Sequence, residues 1–201
     1  MRAWAVLLLF ALPAGAQDLP ALYAVEGVAA NDVLNIRLEP EASAEKIGEL
    51  AYDAAGVEIV RLSPDGDWGL VNTGEQSGWT SMRYLAAESD LPWHSMENAL
   101  SCFGTEPFWN LTVPAEDGPL VMERMGEGSM GFGRTVTSPA FGTPPNIGFA
   151  LQGPAREGFA VIGSAACNDG MSDRDFGLSF DMFLAGPNGP ESYRGCCSLA
   201  N

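Results

Sequence analysis

The chain closes on YRGCCSLAN, with Cys196 and Cys197 side by side. Adjacent thiols can trap a soft metal, work as a redox pair, or serve as halves of two separate disulfides. Two further cysteines, Cys102 and Cys167, stand upstream, so all four lie in the second half of the chain. A thiol-redox centre wants a Cys-x-x-Cys spacing that opens a helix, and neither feature is present. The carboxylates offer other chemistry. Glu106 sits in GTEPFW beside Phe108 and Trp109. There it can act as an acid with a raised pKa, or accept backbone hydrogen bonds and hold its strand. Asp169 and Asp173 stand four apart in NDGMSDR. This echoes a calcium loop, but lacks the alternating ligands and the terminal Glu. A turn joined by contacts to Arg174 accounts for it equally. His94 is the only histidine, so a His-based zinc site or a Ser-His triad would have to use it. No Gly-x-Ser-x-Gly elbow accompanies it. No cofactor or metal is expected.

The compartment bears on the thiols. Residues 1–16 carry an early Arg2, an apolar run from Ala3 to Leu12, Pro13, and then Ala14-Gly15-Ala16. That order is the pattern of a secretory signal peptide, and the run is about half of what a membrane span needs. The expected mature chain begins at Gln17 and is periplasmic or secreted, with no membrane insertion after cleavage. An even number of cysteines in an oxidising compartment favours disulfides. A ring closed by adjacent cysteines is strained. Cys196 and Cys197 are therefore expected to reach back, one to Cys102 and one to Cys167, in an order that the sequence leaves open.

The 26 acidic residues outnumber the 10 basic ones, for a net charge of −16. Such a surface repels nucleic acid and anionic lipid. Roughly 185 mature residues suit one or two small domains.

Between residues 22 and 85 the runs LYAVEGV, VLNIRL, IGEL, GVEIVRL, WGLVNT and GWTS alternate with Gly, Pro or Asp-Gly turns. Strand-sized runs at this spacing predict a small all-β barrel. The pieces Asn35-Ile36-Arg37, Ile47-Gly48, Asp67-Trp68, Gly78-Trp79 and Tyr84-Leu85 resemble the bacterial SH3 (SH3b) domain family over essentially the whole segment. The resemblance implies a non-catalytic domain that binds cell-wall peptide or another envelope partner. Trp68, Trp79, Tyr84 and Arg37 are the candidate ligand-binding residues, with a core role for the aromatics and a loop-fixing role for Arg37 as the alternatives. One departure is Leu38-Glu39-Pro40-Glu41, where the family loop carries glycines.

Residues 86–101 hold three acids, one Pro and His94. They read as a linker, packed in part through Trp93. From Cys102 to Asn201, FWNLTV, PLVMERM, IGFALQG, GFAVIGSAAC, GLSFDMFL and SYRG read as strands. The Gly- and Pro-rich GEGSMGFGRTVTSPAFGTPPN reads as a long loop or irregular edge. In order, CFGTEPFWNL, CNDGMSDRDFGLSF and RGCC resemble an uncharacterised family of bacterial exported proteins and lipoproteins. That resemblance brings no established activity.

The fold expected is all-β, a small SH3-like barrel followed by a disulfide-stapled second domain, barrel-like or a curved sheet. The function expected is that of an exported non-catalytic envelope protein whose partner is peptidoglycan or an envelope protein. Two alternatives stand beside it. One is an envelope hydrolase using Glu106, Asp169 and Asp173, with two carboxyls about 5–10 Å apart in a cleft. The other is a small-ligand carrier with a hollow barrel.

Overall fold

The computed structural model describes residues 18–115, 118–139 and 144–199. The expected signal peptide, residues 1–16, lies outside the described residues. The chain is all-β. Its first unit holds β1 (Ala21–Val25), β2 (Val33–Arg37), β3 (Lys46–Ala51), β4 (Val57–Ile59), β5 (Arg61–Leu62), β6 (Trp68–Thr73), β7 (Gln76–Ser81) and β8 (Leu85–Ala87). These form two sheets, in the orders β4-β1-β8 and β3-β2-β7-β6-β5. The sheets enclose one core of Tyr23, Val25, Leu34, Ile36, Val57, Ile59 and Val71. Alternation along each strand sends these apolar residues inward.

The second unit holds β9 (Leu100–Thr105), β10 (Phe108–Val113), β11 (Leu120–Arg124), β12 (Gly128–Pro139), β13 (Asn146–Gln152), β14 (Glu157–Cys167), β15 (Phe176–Gly186) and β16 (Gly189–Leu199). Every neighbouring pair is antiparallel, and β16 returns to β9 to close an eight-stranded barrel. The inward positions are filled. Leu100, Leu111, Leu120, Met122, Phe132, Ile147, Phe149, Ile162, Leu178 and Phe180 are at most 2% exposed and belong to one packed cluster.

The glycine-rich segment expected as a loop is the long strand β12 over Gly128–Pro139. Its register explains why. Phe132 faces Leu120 and Met130 faces Met122 inside, whereas Gly131 faces Val121 outside. The glycines beside Phe132 therefore fall where no packing is needed. Burying Phe132 contributes about 1.5–3 kcal/mol, which outweighs the ~0.5–1 kcal/mol disfavouring each glycine. Strand partners on both sides supply the hydrogen bonds.

The connector between the units is ordered as well. Ala86 and Ala87 complete β8, and β9 begins at Leu100. Between them a 3₁₀ turn, Trp93–Ser95, sets Trp93 and Met96 into the barrel's cluster beside Leu22 and Leu199. Leu22 belongs to β1, so the first unit contributes directly to the core of the second. His94 is half-buried, with its Nε2 3.4 Å from Asp18 Oδ2.

Both disulfides involve the last strand. Cys102 and Cys197 face each other across β9 and β16, with Cα atoms 4.0 Å apart, and are bonded. This bridge lies on the seam where the barrel closes. Cys167 is bonded to Cys196, with Cα atoms 5.6 Å apart. It ties the end of β14 to the same strand. The bridges fit a non-cytoplasmic, oxidising compartment. No helix among the described residues is long and apolar enough to cross a membrane.

Candidate functional site

Three chain segments meet beside the barrel's closing seam. The first is the β9–β10 hairpin with its GTEPFW motif. Gly104 is required there, because a Cβ would lie 2.4 Å from Trp109 Nε1. Without that Cβ, the Trp109 indole lies down into the barrel, 5.2 Å from the Phe180 ring and 2% exposed. Phe108, one residue earlier, points the other way and is 45% exposed.

The second segment is the 168–175 loop with NDGMSDR. Asp169 organises it. Its Oδ1 accepts from the backbone N–H of Met171 (2.9 Å) and Ser172 (2.8 Å), and its Oδ2 accepts from the Ser172 hydroxyl (2.8 Å). Burial alone would raise its pKa, but these three donors and the Arg174 guanidinium hold it below the ordinary value. The Thr105 hydroxyl donates to Asp169 O at 3.1 Å and joins the loop to the hairpin.

The third segment is the β6–β7 turn of the first unit. Asn72 Nδ2 donates to Asp175 O (2.9 Å), and Asp175 N donates to Ser77 Oγ (2.8 Å). Ser77 N donates to Asp173 O, and Asp173 N donates to Glu75 O. The turn and the loop thus bond along their backbones, through a parallel bridge between Gln76 and Asp173.

Together these segments border a cleft of about 690 Å³ lined by both motifs and by Glu75. Its apolar lining includes Phe103, set edge-on to Phe176 at 4.9 Å, and also Phe108, Met125 and Met171. Met125 is 78% exposed and Met171 65%, the two highest values among the exposed large hydrophobic residues. Both guanidinium groups at the cleft are already engaged. Arg174 lies 3.8 Å from Asp169 and 3.9 Å from Glu75. Arg124 lies 2.8 Å from Glu127 and 3.7 Å from Glu191.

The carboxylates expected to perform hydrolysis differ in their surroundings. Glu106 is exposed, Asp173 is exposed in the bridged loop, and Asp169 is bonded to backbone N–H groups. Among the described residues, no three His, Cys, Asp or Glu side chains gather to hold a metal ion. Among the described residues, the barrel's inward positions are filled by packed apolar side chains.

Of the expected ligand residues of the first unit, Arg37 and Trp79 stand opposite each other on β2 and β7. Arg37 Nη1 donates to Ala44 O at 2.7 Å and so fixes the 38–45 loop. In that loop Glu39 and Glu41 are both exposed. Tyr84 packs against the first unit's core. Trp79 lies beneath Arg61, whose guanidinium carbon is 5.7 Å from the ring centroid and whose Nη1 reaches Asp175 Oδ2 at 3.2 Å. Trp79 therefore sits near the seam with the barrel. Trp68 is half-buried at the start of β6.

Sequence reasoning did not foresee Phe103, Arg124, Met125 or Glu75 as cleft residues. The available signal was indirect. The disulfide expected between Cys167 and one of the vicinal cysteines brings NDGMSDR next to the last strand, and hence near the GTEPFW hairpin. No family model, no curated protein and no solved structure matches the chain.

Proposed function

We propose that this chain is an exported, non-catalytic envelope protein that binds peptide material, either cell-wall peptide or a segment of an envelope protein. One observation carries the reading. The two sequence motifs of the second unit and the β6–β7 turn of the first converge on an open cleft with an apolar floor and fixed polar walls. Such clefts, apolar with a few convergent polar groups, are the usual form of a binding site. The Ser172 hydroxyl that donates to Asp169 there belongs to a turn whose carboxylate also accepts two backbone N–H groups, which fits a loop-fixing role and favours recognition over turnover. The resemblance of residues 22–85 to SH3b domains supports a partner in the cell wall.

The test is co-sedimentation of the chain from Gln17 onward with purified sacculi. Retention well above a control protein of similar charge is expected, weakened at least tenfold by Phe108→Ser. Retention no greater than the control's would sink the cell-wall reading. In that case, capture of an envelope protein, lost in Phe108→Ser, is the outcome expected.

A further inference from the structure

We infer that the cleft recognises a basic peptide segment with an apolar anchor, a Lys- or Arg-rich stretch carrying Leu, Met or Phe. This rests on the reading of the cleft as the binding site and adds the chemistry of the partner. The apolar half of the argument is the methionines. Met125 and Met171 are 78% and 65% exposed, and both line this one cleft with Phe108. Methionine is flexible and polarizable, and exposed methionines form surfaces that mould to varied apolar side chains. Buried among aromatics they would be filler; here they face solvent.

The charged half is the balance of the walls. Glu75, Glu123 and Asp169 line the cleft against Arg124 and Arg174. Each of those arginines already has carboxylates within 4 Å, two of which, Glu127 and Glu191, lie outside the lining. Acids thus outnumber cations along the lining by three to two, and each cation lies beside an acid. Glu75 is 85% exposed in its side chain and stands at the rim. The whole chain adds a net charge of −16. The field at the cleft is therefore negative, which repels acidic segments and steers basic ones.

The experiment is calorimetric titration of the chain from Gln17 onward with three synthetic decapeptides. They share a Leu-Phe-Met centre and differ only in flanks of Lys, Ser or Glu. The Lys peptide is expected to bind at least tenfold tighter than the Ser peptide, with no measurable heat from the Glu peptide. Raising the salt from 50 to 300 mM should weaken the Lys peptide several-fold. The pair Glu75→Gln and Glu123→Gln should weaken the Lys peptide at least fivefold and leave the Ser peptide unchanged. Met125→Ser with Met171→Ser should weaken both. Phe159→Ser with Phe183→Ser, at exposed aromatics outside the cleft, should change neither. Equal binding of the Lys and Glu peptides, lost in the methionine variant, overturns the basic-partner inference and leaves the cleft as a binding site. Binding by none of them, or binding that the cleft variants leave intact, overturns both.

Discussion

A methyl group on Gly195 would sit 1.9 Å from the Phe103 carbonyl oxygen. The glycine of RGCC is thus steric: it lets β16 approach β9 closely enough for Cys197 to reach Cys102. Gly195→Ala is expected to destabilise by about 2–4 kcal/mol through overpacking against backbone, measured as a shift of the urea midpoint. A second residue-scale feature is Glu58. It lies on β4 opposite Leu22, and Leu22 O in turn accepts from Glu88 N, so the three residues form a row across the sheet. Glu58 Oε1 accepts from Leu199 N at 3.0 Å, at the end of the barrel's last strand. Burial pushes its pKa up to about 7, against a smaller lowering by that hydrogen bond. The folded chain therefore holds a proton on Glu58 that the unfolded chain releases near 4.5. The folded state is favoured most below that value, and the advantage fades as pH rises through 7. Glu58→Gln is expected to match the parent at pH 4.5 and to exceed it by about 1–2 kcal/mol at pH 8. Equal pH profiles for the two proteins, followed by urea melts, would reject a buried proton at this position.

At the scale of elements, alternation carried most of the strands. FWNLTV coincides with β10, where exposed and buried residues alternate cleanly, and WGLVNT coincides with β6, a short apolar run whose Gly69, Leu70 and Val71 are all buried. The sequence was misleading at β12, whose glycines look like turn residues until the closed barrel supplies a partner on each side. It was short at SYRG, which is the middle of the eleven-residue β16. The 168–175 loop was legible as a turn, and its Asp169 hydrogen bonds are those of a local Asx motif. Its partner across the seam, the β6–β7 turn, was invisible, since contacts a hundred residues apart leave no local pattern. The Cys167–Cys196 bridge holds this loop. Replacing both with Ser is expected to cost about 3 kcal/mol and to speed amide exchange at Ser77, Asp173 and Asp175 ahead of the barrel strands. Uniform protection loss across the barrel would show instead that the bridge stabilises the whole unit.

At the scale of the molecule, the two units share structure. Leu22 and Trp93 lie in the barrel's cluster, and Asn72, Ser77 and Arg61 bond to the 168–175 loop. They are expected to unfold together. Ser77→Ala removes a donor to Asn72 and an acceptor for Asp175 N, at a cost of about 1–2 kcal/mol. The tryptophan fluorescence and far-ultraviolet transitions should remain coincident in the parent. Two separated transitions in the parent would mean that the seam is too weak to couple the units. The candidate cleft depends on this coupling, because Glu75 reaches it only while the seam is closed.

The pairing of β9 with β16 has a temporal consequence. Cys102 and Cys197 are 95 residues apart in sequence, so the first strand of the barrel emerges long before its partner. Along the way β9 pairs only with β10, and its other side is a bare ladder of N–H and C=O groups, an open template for foreign strands. Non-local closure of this kind is slow. A chain synthesised from its N-terminus therefore spends its most aggregation-prone interval waiting for β16, and the seam disulfide converts that late arrival into a permanent one.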